Sequence, residues 1–500
     1  MSITSAMVEA SLLGLTGPNT RRYVPPKRLR QVANNCRYPN TSLGLRQYFG
    51  MSKHIAGADL SWLTLGHYNA YGYQEIQGAG TLHMMWGLEY PVGRDDLQFF
   101  YYNNSEFGQN APGGVLFADG LWLDQVIPKG SAFKLWPYIY STASGIPGSF
   151  SGPQPFTNGA ATHGLAIQSG SSTTNIDYFL TNSTAAQRNA LVNNGTITQN
   201  VQVTPMCILS DADVRAFGFW GDSRSAGQSS LSPFNFDYVS DASLKQCVLE
   251  RVFGDLAPWI NFSASQDSMA NMTVSGGGRR NEFLKFVTDV VNGLGTNDID
   301  SAASDAVMQA YDATFASMRN IAGKRLWGVT IPPKTTSTNQ FIDAAGQSVS
   351  TGNARRVAHN AYRKNAAMYG GRVIDFDSVA DPTASGKYQG NGRVFSATMA
   401  AGSNVVSGSG FLASENGKTV AINGAGASGA VLVGRQVYVD ANTINLVDPV
   451  TGLAVTASTA VTGAVAYANC RENTADGTHE TQALCKAYEA ALKPVAAALY

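Results

Sequence analysis

Two short motifs contain the residue types that acyl transfer requires. The first is Gly-Asp-Ser ending at Ser223, which follows the apolar strand-like run 214–220, and the second is Asp476-Gly-Thr-His479 near the C-terminus. A serine hydroxyl becomes a nucleophile when an imidazole accepts its proton and a carboxylate orients that imidazole. Ser223, His479 and Asp476 are therefore candidates for nucleophile, general base and orienting carboxylate. Each motif taken alone is also typical of an ordinary turn with a capping side chain.

A third motif, Gly295-Thr-Asn-Asp298, lies between these two along the chain and also follows a strand-like run. Its Asn297 could direct an amide N–H to the same sheet edge, where a developing oxyanion needs hydrogen-bond donors. Arg224 directly follows the candidate nucleophile. It is a candidate for contact with an anionic or hydroxyl-rich substrate, although a side chain that points outward is the preferred interpretation.

In this order, GDS at 221–223, GTND at 295–298 and DGTH at 476–479 resemble blocks I, III and V of the SGNH (GDSL-type) hydrolase family. The resemblance covers about 205–383 and 471–500. It implies a carboxylic ester hydrolase with Ser223 as nucleophile, His479 as base then acid, and Asp476 as its orienting partner. It also implies that Asn297 and the Ser223 backbone N–H donate to the oxyanion. The family has a glycine as a further donor, and the matching stretch here has Gln266, which costs more than glycine if the backbone needs a positive φ.

The elements that would position these residues alternate between strand and helix patterns after about residue 205. Such alternation favours a parallel sheet covered on both faces, which is a three-layer α/β domain, flavodoxin-like in the family that the motifs resemble. The strand-like runs lie at 214–220, 257–262, 286–291, 326–331 and 373–376, and the main helical patterns at 307–318, 354–369 and 480–499.

The rest of the chain is dominated by β patterns. Short strand-like runs among turn residues predict a β-rich, sandwich-like accessory domain, and Gly, Ser, Ala, Thr and Val with frequent turns predict a β-rich insertion. We therefore divide the chain as follows: N-terminal arm or attachment segment 1–50, accessory domain 51–204, hydrolase domain 205–383, insertion 384–470, and the C-terminal part of the hydrolase domain 471–500.

Residues 411–465 resemble a β-module of bacteriophage tail fibres and tailspikes, with an NGKT-like turn, a GAG-rich turn and valine-rich strands. This resemblance implies a virion tail protein that acts at the host cell surface and removes O-acetyl groups from a bacterial surface polysaccharide. The arm would then contact other tail proteins, and a homotrimer would suit a tail fibre. Two alternatives stay open: a bacterial lipase or esterase acting on small or lipid acyl esters, and a structural or receptor-binding virion protein with an inactive hydrolase fold.

Composition narrows the classes of partner. Lys and Arg total 35, Asp and Glu total 35, and charged residues make up 14% of the chain, so the net charge gives no reason to expect nucleic acid as a partner. No apolar stretch approaches the ~18 residues of a membrane-spanning helix, and the N-terminus lacks the charged start of a secretory signal. The other histidines show no metal-ligand spacing, so neither a metal nor a cofactor is expected. Cys470 and Cys485 flank the Asp476 motif and are candidates for a disulfide, with two buried thiols as the alternative.

Overall fold

The structure is a computed structural model of the 500-residue chain. It describes residues 29–39, 41–42, 47–150, 165–166, 184–188, 201–227, 247–339, 341–389, 393–448, 452–468, 470, 473–474 and 476–500.

Antiparallel sheets with a shared apolar core form the first part of the chain. One sheet consists of β1 (Leu29–Gln31), β6 (Leu60–Tyr68), β12 (Val115–Phe117), β13 (Leu121–Ile127) and β18 (Cys207–Asp211). A second consists of β4 (Gln47–Gly50), β5 (Ser52–Ile55), β9 (Leu82–Glu89), β10 (Gln98–Phe99), β11 (Gly108–Asn110), β14 (Ala132–Ser141) and β16 (Leu165–Ala166). Smaller pairings join β3 (Thr41–Ser42), β15 (Pro147–Phe150) and β17 (Val201–Gln202), and β7 (Ala70–Tyr71) with β8 (Ile76–Gln77). This is the expected β-rich accessory region, but β18 extends it to residue 211.

A parallel sheet forms the centre of the second part. Its strands are β2 (Cys36–Arg37), β19 (Phe217–Gly221), β20 (Trp259–Asn261), β21 (Asp289–Gly293), β22 (Arg325–Val329) and β25 (Val373–Ile374). Their spatial order is β2-β20-β19-β21-β22-β25, and each neighbouring pair is parallel. Without β2, this is the flavodoxin-like order 2-1-3-4-5.

Helices cover both faces of this sheet. They are α1 (Val248–Phe253), α2 (Met269–Ser275), α3 (Arg280–Phe283), α4 (Asp305–Ser317), α5 (Asn353–Asn365), α6 (Phe376–Ala380) and α7 (Gln482–Leu499). Phe217 and Phe219 of β19 pack with α1, α6 and α7, whereas Trp220 packs in the cluster that includes α2, α3 and α4. Because both faces are covered, β19 is a continuous apolar run with no polar alternation. The three-layer α/β expectation for this part agrees with the structure.

The prediction of an N-terminal arm was wrong for the described residues between 29 and 50. β1 pairs antiparallel with β18 of the accessory sheet, and β2 is the edge strand next to β20 of the parallel sheet. Val32, between β1 and β2, and Cys36, within β2, are both fully buried. Strands of three and two residues are too short to show a periodic pattern, so no local signal predicts them. The rest of the predicted arm, residues 1–28, lies outside the described residues.

The expected insertion is a closed antiparallel barrel. Its strands are β26 (Arg393–Met399), β27 (Val405–Ser407), β28 (Thr419–Ile422), β29 (Leu432–Asp440), β30 (Thr443–Val447) and β31 (Val461–Ala468), in the order β26-β27-β30-β29-β28-β31. The first and last strands pair, with Arg393 opposite Ala468, so the barrel begins and ends at neighbouring points. A separate hairpin, β23 (Thr335–Ser337) with β24 (Gln347–Val349), precedes it. No helix in the described parts of the chain is long and apolar enough for a membrane span.

Candidate active site

Ser223 lies in a tight turn at the carboxyl end of β19. The carbonyl of Asp222 accepts from the amides of Ser225 (3.1 Å) and Ala226 (2.9 Å). The Asp222 carboxylate also accepts from the Arg224 amide (3.1 Å). A Cβ at Gly221 would lie 2.4 Å from the Ser225 Cβ, so the turn can close in this way only with glycine at that position. The turn holds Ser223 at the sheet edge where open α/β sheets place their ligands.

His479 and Asp476 lie on one short loop before α7. The Thr474 hydroxyl accepts from the Gly477 amide (2.9 Å) and donates to the His479 carbonyl (2.8 Å), which closes the loop. Oδ1 of Asp476 accepts from the amides of Thr478 and His479, both at 2.8 Å. Backbone amides of the same loop therefore fix the position of the carboxylate, in addition to its contact with the imidazole.

The structure brings Ser223, His479 and Asp476 into one hydrogen-bonded chain. Oδ2 of Asp476 lies 2.7 Å from Nδ1 of His479, and Nε2 of His479 lies 2.8 Å from Oγ of Ser223. An ionised carboxylate can only accept, so Nδ1 carries the proton and Nε2 is free to accept from the serine hydroxyl. Burial acts to raise the pKa of Asp476, but hydrogen bonds from the His479 ring and amide outweigh it, so the pKa lies below its ordinary value. Asp476 is thus ionised at neutral pH, as an orienting carboxylate must be.

Gln266 occupies a turn beside this arrangement. The Asp267 amide donates to the Ala264 carbonyl (3.2 Å), and the Ala264 amide donates to the carbonyl of Gly221, the last residue of β19 (3.1 Å). Gln266 has a φ of 67°, in the left-handed region that favours glycine. The condition stated from the sequence is therefore met: the turn does need a positive φ, and glutamine adopts it while keeping its backbone N–H. Its side chain is exposed.

Asn297 and Asp298 connect their loop to the Gln266 turn. The Asn297 side-chain amide donates to the Asp267 carbonyl at 2.8 Å. The Asp298 carboxylate accepts from the amides of Met269 (2.9 Å) and Ala270 (3.1 Å) at the start of α2. Burial raises the pKa of Asp298 to about 6. The GTND segment therefore fixes the position of the turn that follows β20.

Arg224 does not point outward, so that preferred interpretation was wrong. Its side chain is 5% exposed and forms an ion pair with Glu480, whose side chain is 2% exposed. It also donates to the Thr296 hydroxyl at 3.3 Å. Glu480 was not among the residues predicted from the sequence. A signal was present, because residues of opposite charge directly follow Ser223 and His479.

Cysteines and metal ligands add nothing to the site within the part of the chain that the structure describes. Cys470 and Cys485 are both buried and neither is in a disulfide, so the suggested bridge is absent and the alternative of two buried thiols describes them. Burial raises the pKa of Cys485 to about 11, which keeps it protonated. Among the described residues, His, Cys, Asp and Glu side chains form no group of three or more that could hold a metal ion.

A flavodoxin-like sheet with hydrogen-bonded serine, histidine and aspartate side chains at its carboxyl edge defines the serine-hydrolase class of site. No family model and no curated protein matches the chain. Solved structures similar to it include TesA (18% identity, TM-score 0.22), over 32% of this chain and 77% of that one. They also include a putative GDSL-like lipase from Parabacteroides merdae (12% identity, TM-score 0.24, 34% and 80%) and the acetylxylan esterase Axe2 from Geobacillus stearothermophilus (11% identity, TM-score 0.21, 33% and 77%). Each of these likenesses covers about a third of this chain, and at these identities and TM-scores it decides neither activity nor substrate.

Proposed function

We propose that this protein is an SGNH-type serine esterase that removes O-acetyl groups from a bacterial surface polysaccharide. The observation that carries the proposal is the continuous chain of hydrogen bonds from Asp476 through His479 to Ser223, at 2.7 and 2.8 Å. The nucleophile and the base lie 256 residues apart in the sequence. A capping serine and a surface histidine have no reason to meet at this distance, whereas acyl transfer requires it.

The geometry supports a two-step reaction. Oγ of Ser223 attacks the acyl carbonyl while Nε2 of His479 takes its proton, and the resulting imidazolium is stabilised by Asp476. The tetrahedral oxyanion accepts from the Ser223 amide, the Asn297 side chain and the Gln266 amide. His479 then returns the proton to the departing sugar hydroxyl, which leaves an acetyl group on Ser223. Water attacks this ester with His479 as base, and acetate leaves with regeneration of the serine hydroxyl.

The polysaccharide substrate and the phage tail setting are supported by the sequence resemblance of residues 411–465. The position of the barrel is compatible with this role, because its last strand, β31, ends only 11 residues before His479. Ile342, in the loop between β23 and β24, packs against Ala421 of the barrel and Cys470. The barrel is thus anchored beside the loop that carries the base, where it could hold a polymer near the site. In this setting the protein is a virion component that acts at the host surface, together with other tail proteins.

Acetate release from O-acetylated bacterial polysaccharides tests the proposal directly. We expect the protein to release acetate from at least one member of a panel and to release none from the same polymer after chemical deacetylation. Ser223→Ala should abolish release. Ser225→Ala is the matched control, because it removes a buried hydroxyl from the same turn and should retain most of the rate. Equal rates for the protein and Ser223→Ala would disprove esterase activity at this site.

A comparison of acyl chain lengths separates the proposal from an esterase of lipid or small acyl esters. We expect kcat/KM to be higher for acetylated sugars than for long-chain p-nitrophenyl esters, and the opposite preference would favour a lipase. A fluorophosphonate should label Ser223, as shown by peptide mass spectrometry. Failure to label, with no ester turnover, would favour a virion protein with an inactive fold.

The proton acceptor and the oxyanion donor should be distinguishable by the size of their effects. His479→Ala should lower kcat by a factor on the order of 10³ or more, because the triad acts as a unit. Asn297→Ala should lower kcat by about 10²-fold with little change in KM, because it removes one donor that acts mainly in the transition state. An unchanged kcat for Asn297→Ala would remove that residue from the oxyanion site.

A further inference from the structure

Arg224 and Glu480 form a buried ion pair whose members each directly follow a residue of the proposed triad. Arg224 comes after Ser223, and Glu480 comes after His479. The guanidinium Nη2 contacts Oε1 of Glu480, and the two side chains are only 5% and 2% exposed. A buried pair of this kind keeps its geometry, because separation would leave each charge without water or partner.

The same guanidinium also reaches the loop that carries Asn297. Its Nη1 donates to Oγ1 of Thr296 at 3.3 Å. Arg224 therefore links three segments that are far apart in sequence: the turn after β19, the loop after β21 and the loop before α7. Each of these segments holds one residue with a role in the proposed reaction: Ser223 as nucleophile, Asn297 as oxyanion donor and His479 as base.

We propose that the Arg224–Glu480 pair is a positioning device for the esterase reaction, which sets the Ser223–His479 contact and keeps the charge beside the imidazole balanced. This inference rests on the proposed function. The pair ties the base to the nucleophile through the residues next to them, so a loosened pair lets the two loops separate. Its two charges cancel, so the imidazolium that forms during proton transfer experiences neither an unbalanced cation nor an unbalanced anion.

Other charged and titratable groups lie on the segments that carry Ser223, Asn297 and His479, or contact those segments, and are unchanged in the test below. Asp476 lies on the loop of His479 itself, and Asp222 lies fully buried on the nucleophile turn. Asp298 follows β21, and besides burial the charge of Asp222 acts to raise its pKa. Tyr388 donates from its hydroxyl to the Thr478 carbonyl at 3.2 Å, and burial raises its pKa to about 12, so it stays neutral. Arg224 brings a positive charge into this largely acidic surrounding, and Glu480 neutralises it.

The pair can be tested by removing one charge at a time and measuring kcat/KM against pH with p-nitrophenyl acetate. Glu480→Gln leaves the Arg224 cation unbalanced, which disfavours the imidazolium, so the acid limb should move to lower pH by about one unit. Arg224→Gln leaves the Glu480 carboxylate unbalanced and should move the limb to higher pH by a similar amount. Both should lower kcat by roughly 10- to 100-fold with KM within about threefold, because small misplacements of reacting groups cost rate rather than binding.

Opposite shifts of the acid limb are the signature that a merely structural pair would not produce. Arg251→Gln and Glu489→Gln are the matched controls: this ion pair (3.2 Å) links α1 to α7 away from the triad, and its loss should lower stability without moving the limb. Glu480→Asp keeps the charge but shortens the side chain, so it should lower kcat and leave the limb in place. If Glu480→Gln does not fold, the effect of Glu480→Asp on kcat tests the positioning role in its place.

The outcomes separate this inference from the function on which it rests. If wild-type turnover depends on Ser223 but the two variants shift the limb in the same direction or not at all, only the positioning role fails. If both variants keep full kcat, the positioning role also fails. If wild-type turnover does not depend on Ser223, the esterase proposal and the ion-pair proposal fail together.

Discussion

Gln266 shows how one residue can keep a backbone donor at a conformational cost. Its φ of 67° is in the left-handed region, which costs a residue with a Cβ roughly 1–2 kcal/mol. This backbone strain lies in the turn that follows β20 directly, and the backbone N–H of Gln266 is retained there. The side chain of Gln266 is exposed. The strained φ therefore sets the position of the backbone peptide and not a contact of the side-chain amide.

Replacing Gln266 with glycine should therefore stabilise the protein without loss of activity. Relief of strain exceeds the added entropy of glycine in the unfolded chain, so we expect the free energy of unfolding to rise by about 0.5–1 kcal/mol. The value of kcat should stay within about threefold. Denaturant unfolding and steady-state kinetics measure both, with Gln266→Ala as the control that keeps the strain. A large loss of kcat in a folded Gln266→Gly variant would assign a role to the glutamine side chain.

At the residue scale, the sequence predicts the side chains that the chemistry requires. It does not predict side-chain pairs that only the folded chain brings together. Ser223, His479 and Asp476 could be chosen because a nucleophile, a base and a carboxylate have fixed residue types. The structure places them in contact. The burial of Arg224 was not predicted: its partner Glu480 lies 256 residues further on, a lone arginine after a turn is ordinarily solvated, and the only signal is the opposite charge of the residues that follow Ser223 and His479.

Among the elements, the segments after β20 and β21 hold each other in place. Asp298, which follows β21, accepts from the amides of Met269 and Ala270 at the start of α2, at 2.9 and 3.1 Å. Burial raises its pKa to about 6, compared with 3.8 for the unburied group. The folded state therefore binds this proton more tightly than the unfolded state does. Its contribution to stability is fully present below about pH 3.8 and is lost as the pH rises through about 6.

We therefore expect Asp298→Asn to remove one pH-dependent part of the stability. The stability of the wild type relative to this variant should increase as the pH falls from 7 to 4.5, by on the order of 2 kcal/mol. Urea unfolding at several pH values measures the difference. Asp305→Asn is the control, since Asp305 is an acidic residue in the first turn of α4 and is exposed. A relative stability that increases with rising pH would contradict the assigned direction.

The loop before α7 requires glycine at position 477. The hairpin of β23 and β24 leaves no space there for a larger side chain. Gly477 has a φ of 78°, and a Cβ there would lie 1.9 Å from the Thr335 carbonyl oxygen. The Gly477 carbonyl also accepts from the Thr335 amide at 2.9 Å. The hairpin and the loop of His479 are therefore packed backbone against backbone.

Gly477→Ala should displace this loop and with it the base. We expect kcat to fall by about 10²-fold or more, since the imidazole must keep its distance to Ser223. Gly371→Ala is a matched control, because Gly371 has the same φ of 78° but no atom within 4 Å of its Cβ position. It should lower stability by about 1 kcal/mol and leave kcat unchanged. Equal kinetics for the two variants would show that the collision with Thr335 does not matter.

Element prediction succeeded where a pattern was long enough to repeat. The five main strands of the parallel sheet and the helices α4, α5 and α7 follow from alternation of apolar runs and helical periods, whereas α2 and α3, of seven and four residues, were not predicted. β1 and β2 escaped detection because three and two residues contain no full repeat, and their pairing partners lie about 180 and 220 residues further along the chain. The segment 29–37 thus joins the accessory sheet to the parallel sheet, a role that no local signal reveals.

At the scale of the whole molecule, the barrel is a self-contained addition to the hydrolase domain. It has its own apolar core, and its first and last strands are neighbours with Arg393 opposite Ala468. Paired residues in antiparallel strands lie about 5 Å apart, a gap that a few residues can close. Its packing with the rest of the chain includes the cluster of Ile342, Ala421 and Cys470.

Deleting residues 393–468 and joining the ends with a short Gly-Ser linker should therefore leave a folded esterase. We expect stability to fall by about 1–2 kcal/mol, because Ile342 becomes exposed. Turnover of p-nitrophenyl acetate should stay within about fivefold, while acetate release from polysaccharide should fall much further if the barrel holds the polymer beside His479. Parallel assays of the two substrates measure the split, and Ser223→Ala within the shortened chain is the control for background hydrolysis. Equal losses on both substrates in a folded protein would show that the barrel supports the triad itself and does not select the substrate.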